Sequence, residues 1–375
     1  MSQSPKMSTP DRLPAEPATA TTTVASFEVH CTRFLDQHGT AVAPLPAFAR
    51  DAANLVALYR TMVLTRVFDT KAIALQRTGK LGTYASTLGE EAVATAVGAA
   101  MQPDDVLLPA YRSIAAQFQR GVRMSEVLLY WGGDERGNDF AECRQDFPMC
   151  IPVGSHTAHT VGVAYAMKLR RQPRVAVCML GDGGTSKGDF YESINAAGVW
   201  RVPAVFVVNN NRWAISVPLS QQTAAQTIAQ KAIAAGIPGE QCDGNDVIAV
   251  RHCIDQALAR ARRGDGPTLI EALTYRLSDH TTADDASRYR KQEELEAQRQ
   301  LDPVTRLRAY LTRAGAWRDS DEQALLADCA QRVEQAVREY QSIEPLAPES
   351  MFDNLYETLP AALVAQREQV LSRKK

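Results

Sequence analysis

The segment from Arg174 to Ser216 constrains the fold more than any other part of the chain. Two apolar runs, RVAVCML (174–180) and VPAVFVV (202–208), are too short for core helices and rich in β-branched residues, and Pro173 and Gly181 bound the first. Between them lie GDGGTSKGD and a helix predicted over about Phe190 to Val199. Two buried strands joined through a helix form a crossover of the kind that builds a parallel sheet. Further strands are predicted at Val106 to Leu108 and at PTLIEALTYR (267–276), the latter after a helix from about Ile248 to Arg262. The expected fold class is α/β: a doubly wound, mostly parallel sheet with helices on both faces.

Around this centre helices are expected from about Asp51 to Thr78, where the apolar positions follow a 3.6 period only roughly, and from small apolar composition over Gly89 to Met101 and 155–170. The second is so rich in Ala, Val and Gly that it is expected to be buried. Residues 26–48 read as extended, and Gly132 to Pro152 as loop. After about Asp302 the chain is charged and helical, with Asp319-Ser320-Asp321-Glu322 starting a helix that runs to Tyr340. The predicted plan is a disordered Ser/Thr/Pro/Ala-rich tail (1–25), an extended arm (26–50), one α/β domain (51–300) and a helical extension (301–375). With 375 residues, 45% of them hydrophobic, the chain can build one large domain with appendages. Its net charge of −2 offers no basic field for nucleic acid. No apolar run approaches the ~20 residues needed to span a bilayer. Seven cysteines without a CxxC pair argue against a disulfide scaffold or a zinc ribbon, and are expected as reduced thiols in a cytoplasmic protein. The first 25 residues lack a secretory apolar core, and Asp11 and Glu16 weigh against a transit peptide.

In sheets of this kind ligands bind beyond the carboxyl ends of the strands. Arg112, Asp182, Asn211 and His280 are all predicted there. The glycines around Asp182 let backbone N–H groups approach a phosphate closely. Asp182 offers an anionic oxygen, and Asn211, at the next strand end, a neutral one. A carboxylate, an amide oxygen and a backbone carbonyl suit Mg²⁺ with phosphate as co-ligand. Gly-Asp-Gly alone reads better as an ordinary turn; its pairing with the Asn-rich turn makes the metal reading the better one. Arg112 by itself reads as an ordinary surface ion pair, although a guanidinium can bind phosphate oxygens bidentately. His280 lies in LSDHTTADDASRYR (277–290), a polar segment without periodicity that reads as a loop. An imidazole there can donate to a developing anion or shuttle a proton near neutral pH, or be one of six incidental histidines.

Gly181-Asp182-Gly183, the 26 residues 184–209 and then Asn210-Asn211 match the thiamine-diphosphate signature. Together with FLDQHGTAVAPLPAFARD, GDGGTSKGDFYESINAAG, PAVFVVNNNRWAIS, QKAIAAGIPG, GPTLIEALTYR and DDASRYR, this motif resembles the alpha subunits of 2-oxo acid dehydrogenases over nearly everything after residue 26. The resemblance implies a thiamine-diphosphate-binding fold in which Asp182, Asn211 and the main-chain oxygen of Trp213 hold Mg²⁺. It further implies that Gly181, Gly183 and Gly184 lie along the diphosphate and that Tyr111 and Arg112 contact it. Val153 and Gly154 match the segment that supports the bent cofactor, and His280 matches an active-site histidine. His156 and His159 are expected to be structural. Three positions depart from the family pattern: Lys187, Asn209 and Thr281, the last standing where mitochondrial relatives carry a regulatory serine.

Within the family the motifs look closest to bacterial pyruvate dehydrogenase alpha subunits, with branched-chain 2-oxo acid enzymes as the alternative. The carboxylic acid that activates the cofactor sits, in this family, on a separate beta subunit. The resemblance therefore implies an α2β2 assembly, inactivity of this chain alone, and delivery of the acyl group to lipoyl of an acyltransferase core. Competing readings fare worse. A phosphohydrolase built on Asp182 would need a second Asp in the loop, where position 184 is Gly. GDGGTSKG has Ser186 where a dinucleotide fold needs its third glycine. A catalytically dead binding subunit would have no need of Asp182, Asn211 and His280 together.

Overall fold

A computed structural model describes residues 21–372. The predicted tail lies outside the described residues as far as residue 20, and residues 21–25 are exposed and irregular. Eight strands follow in chain order: β1 (Cys31–Thr32), β2 (Val106–Leu108), β3 (Ala176–Gly181), β4 (Ala204–Asn210), β5 (Trp213–Ala214), β6 (Val217–Pro218), β7 (Gly239–Asp243) and β8 (Thr268–Leu273). Six of them form one sheet in the order β1-β7-β8-β4-β3-β2, every pair parallel. β5 and β6 form a separate antiparallel pair.

The helices are α1 (Ala52–Arg77), α2 (Glu91–Ala100), α3 (Ile114–Arg120), α4 (Met124–Trp131), α5 (Ser155–Leu169), α6 (Gly188–Trp200), α7 (Leu219–Gln222), α8 (Lys231–Ala234), α9 (Val247–Arg262), α10 (Gln292–Arg299), α11 (Pro303–Arg313), α12 (Asp319–Ser342) and α13 (Ala361–Ser372). The strands show why the central runs are continuously apolar. Side chains alternate across a strand. Val177, Met179, Val205 and Val207 pack into a core with α1, α2 and α9. Ala176, Cys178, Phe206 and Val208 pack into a second core with α5 and α6. Both faces are covered, as a parallel sheet requires.

The helical extension shares the first core. Leu307, Leu311, Leu325 and Val333 belong to the same cluster as Leu58 and Met62 of α1. An ionic triad fastens it: Arg66 of α1 lies 2.7 Å from Glu91 of α2 and 2.7 Å from Asp302 at the start of α11. Burial pushes Glu91 up to about 7 despite that arginine. The extended arm is tied down by Asp246, which caps α9 and accepts from the backbone N–H groups of Phe34 and Leu35, both at 2.7 Å. β1 then adds to the sheet edge beside β7. Asp51 caps α1, accepting from Ala53 N at 2.9 Å. The structure adds elements that the sequence reading did not foresee, among them α3, α4, the β5–β6 pair and β7. Among the described residues no helix is long and apolar enough to cross a membrane.

Candidate active site

β2, β3, β4 and β8 run parallel and end at one edge, so the segments after Leu108, Gly181, Asn210 and Leu273 gather there. Register sets neighbours: Gly181 stands beside Asn209, and Asn210 beside Leu273. These segments enclose a cavity of about 260 Å³ with mainly apolar walls. Tyr111 and Arg112 enter it after β2, Val153 and Gly154 from the turn before α5, and Gly181, Asp182 and Gly183 from the end of β3. Asn211 and Trp213 enter after β4, and His280 from the long segment after β8. The sequence reading named these residues from scattered motifs, and the fold brings them together. Gly184 differs: it does not line the cavity but lies behind Val153, whose Cγ1 would be 2.9 Å from a Cβ at that position.

Asp182 is 2% exposed, and among the described residues it makes no ion pair within 4 Å. Its side-chain partner is Gln222, whose Nε2 donates to Oδ2 at 2.9 Å. Burial pushes the Asp182 carboxyl above its usual range. A buried carboxylate without a counter-charge is costly unless a cation joins it, so the site fits a bound metal. Asn211 Oδ1 accepts from Trp213 N at 3.1 Å, which leaves an amide-oxygen lone pair free. The Trp213 carbonyl faces Arg276 Nη1 at 3.4 Å. Among the described residues no three His, Cys, Asp or Glu side chains converge to hold a metal. A cation here would therefore rely on the oxygens of Asp182, Asn211 and Trp213, a hard set suited to Mg²⁺.

Gly183 is required by close approach: a Cβ there would stand 2.7 Å from the Cβ of Ala214. Gly154 has φ +87° and opens α5, a conformation that glycine adopts without strain. The dipole at that end of α5 favours negative charge.

Two buried arginines flank His280. Nη2 of Arg112 and Nη1 of Arg276 each lie 3.4 Å from its Nδ1, long for a hydrogen bond. Arg112 also donates to the His280 carbonyl, and through Nε to Ser86 O at 2.9 Å. Guanidinium groups only donate, so Nδ1 is the acceptor and the neutral ring carries its proton on Nε2. Burial, then Arg112 and Arg276, lower His280 to about 4. Asp284 holds the segment by accepting from His280 N at 2.8 Å and from the Tyr289 hydroxyl at 2.5 Å. Thr282 N donates to Tyr84 O at 2.8 Å, docking the segment on the turn before α2. His156 Nε2 donates to Pro148 O at 3.0 Å and braces the preceding loop, although it also lines the cavity; His159 is exposed.

Three residues of the site were missed. Glu90, 3% exposed, precedes α2 and reads in sequence as an ordinary acidic helix start. Arg276 has no exposed surface and closes the apolar run 267–276, where it resembles a strand-end charge. Gln222 carries no pattern at all. A buried charge is rare unless partnered, and only the fold reveals the burial.

A doubly wound sheet whose carboxyl edge gathers a buried aspartate without an ion pair, an asparagine and two buried arginines around one cavity is the candidate active site of an α/β enzyme subunit. Residues 59–349 match the family model described as "Dehydrogenase E1 component", and the chain belongs to that family, whose members depend on thiamine diphosphate. The 3-methyl-2-oxobutanoate dehydrogenase subunit alpha of Mycobacterium tuberculosis (strain CDC 1551 / Oshkosh) is 43% identical over 84% of this chain and 85% of its own. The pyruvate dehydrogenase E1 component subunit alpha of Staphylococcus aureus (strain MRSA252) is 40% identical over 92% of this chain and 93% of its own.

Proposed function

We propose that this chain is the alpha subunit of the decarboxylase component of a pyruvate dehydrogenase, holding Mg²⁺ and thiamine diphosphate at the edge of its sheet. The observation that carries the reading is Asp182, a buried carboxyl that makes no ion pair among the described residues, one strand away from Asn211. In this reading Asp182, Asn211 and the Trp213 carbonyl hold the metal, while Arg112 and Arg276 offset the charge of the diphosphate. Gly181 and Gly183 leave room for it, and Val153 supports its apolar part. Bound thiamine diphosphate supplies the electron sink that lets a 2-oxo acid lose carbon dioxide. His280, neutral and with its proton on Nε2, donates toward negative charge developing on the substrate. The apolar cavity wall excludes water and strengthens that interaction.

The activating carboxylate is assigned to a beta subunit, so the working enzyme is an α2β2 complex that passes its acyl group to lipoyl of an acyltransferase core. The seven cysteines, all free, suit a reducing cytoplasm. Purified chain without its partner is expected to turn over no pyruvate; robust turnover by the chain alone would contradict the two-subunit site. Pyruvate as substrate is supported by the match to a pyruvate dehydrogenase alpha subunit over nearly the full length. Branched-chain 2-oxo acids are the second reading, favoured by the 43% identity to a 3-methyl-2-oxobutanoate enzyme. One methylene is worth only ~1–3 kcal/mol in a pocket. Steady-state kcat/KM of the assembled enzyme decides: higher for pyruvate under the main reading, higher for 3-methyl-2-oxobutanoate under the second.

A further inference from the structure

We propose that Glu90 is a positioning residue that fixes which end of the Asn211 amide faces the cation. The inference rests on the metal reading above. An asparagine amide has opposite ends: its oxygen can bind a cation, and its NH₂ group cannot. In this structure both ends are held. Trp213 N donates to Asn211 Oδ1 at 3.1 Å, and Asn211 Nδ2 donates to Glu90 Oε1 at 3.0 Å. The second oxygen of Glu90 accepts from Asn209 Nδ2 at 2.5 Å, and Asn209 Oδ1 in turn accepts from the Thr274 hydroxyl at 2.7 Å. The chain of donors runs from β8 through β4 to the turn before α2, and every amide in it has one orientation.

Glu90 stands at the cap position of α2, yet its side chain makes no cap hydrogen bond. Its carboxyl points instead to the strand ends, where it is buried, and its Oε1 is also 3.8 Å from Arg112 Nε. The same carboxylate thus faces the amide on the metal side and the arginine assigned to the diphosphate. Helix capping does not account for that placement; orienting the groups around it does. Partners that orient metal ligands in this way typically change metal affinity ~10–100-fold when removed.

The test uses the assembled α2β2 enzyme and a calorimetric titration of Mg²⁺ at saturating thiamine diphosphate, with Mn²⁺ electron paramagnetic resonance as a second readout. Glu90→Gln keeps the shape but offers one acceptor and one NH₂ group to two amide donors, so one amide must turn or lose its partner. Mg²⁺ affinity is expected to fall at least ~10-fold, with the melting temperature of the metal-free complex little changed. Adding Asn211→Asp is expected to restore affinity, because a carboxylate has no wrong end and accepts from the new glutamine NH₂. Wild-type Mg²⁺ affinity in Glu90→Gln would overturn the proposal. So would failure of the double variant to regain affinity, or failure of both variants to assemble, since either outcome makes Glu90 a structural residue. Asp182→Ala separates the two levels: if its Mg²⁺ dependence persists, the metal reading itself is lost. If that dependence is abolished while Glu90→Gln binds normally, only the role of Glu90 falls.

Discussion

Gly183→Ala tests the close approach on which the metal loop depends. The added Cβ would lie 2.7 Å from the Cβ of Ala214 and 3.6 Å from its Cα. Carbon atoms pack best at about 3.5–4.0 Å, so the first contact is short by roughly 1 Å. A Cβ is anchored to its backbone and cannot rotate away. Either the 182–186 turn or the Trp213–Ala214 strand must move, and both carry residues assigned to the cation. Overpacking of this kind costs about 1–3 kcal/mol of stability. Misplacing reacting groups by about 1 Å costs on the order of 100-fold in rate. The variant is therefore expected to melt lower, to bind thiamine diphosphate and Mg²⁺ at least ~10-fold more weakly, and to lose ~100-fold in kcat/KM. Differential scanning calorimetry of the chain and cofactor titration of the assembled enzyme measure both effects. Gly162→Ala in α5, where a Cβ would meet nothing within 4 Å, serves as the control and is expected to be neutral or slightly stabilising. Wild-type melting and cofactor affinity in Gly183→Ala would refute the packing argument.

Other consequences follow from buried charge. Arg66→Ala leaves Glu91 and Asp302 without their cation and is expected to cost about 3–5 kcal/mol in urea denaturation; a loss under about 1 kcal/mol would mean that the triad does not hold the helical extension in place. His280 is held at about 4, below its ordinary 6.5, by burial and the two arginines. A depressed value means that its contribution to stability is present above pH 6.5 and is lost as pH falls toward 4. In the cofactor-free chain, NMR should show the ring neutral down to about pH 5, and His280→Gln should flatten part of the acid loss of stability; a ring that titrates above pH 6 would contradict this placement of the arginines.

The central crossover was legible because β3 and β4 are buried on both faces and so read as unbroken apolar runs. The helices at 52–77, 91–100, 247–262 and 319–342 were legible too, the first from a rough apolar period and the last from its acidic start signals. β7 was not: Gly239, Glu240 and Gln241 carry no apolar pattern, and the strand exists because β8 and the arm pair with it on either side. The short helix α3 is similarly a product of packing against α1 and α2, and α4 of packing against α12. In the site, the residues assigned to metal and diphosphate were named from motif spacing and strand ends, and all but Gly184 line one cavity. Glu90 and Arg276 were not, since a charged side chain is read as solvent-facing until its partners are known. Their partners come from segments far apart in sequence: Asn209 and Asn211 for Glu90, and the Trp213 and Ile215 carbonyls for Arg276.

Anomalous diffraction from crystals of the assembled enzyme grown with thiamine diphosphate and Mn²⁺ in place of Mg²⁺ measures the position of the cation itself. The account predicts one strong peak per alpha chain, within about 2–2.3 Å of an Asp182 carboxylate oxygen, Asn211 Oδ1 and the Trp213 carbonyl oxygen, with diphosphate oxygens in the same shell. A fully loaded cofactor whose manganese peak lies elsewhere, with those two side chains unliganded, would contradict it.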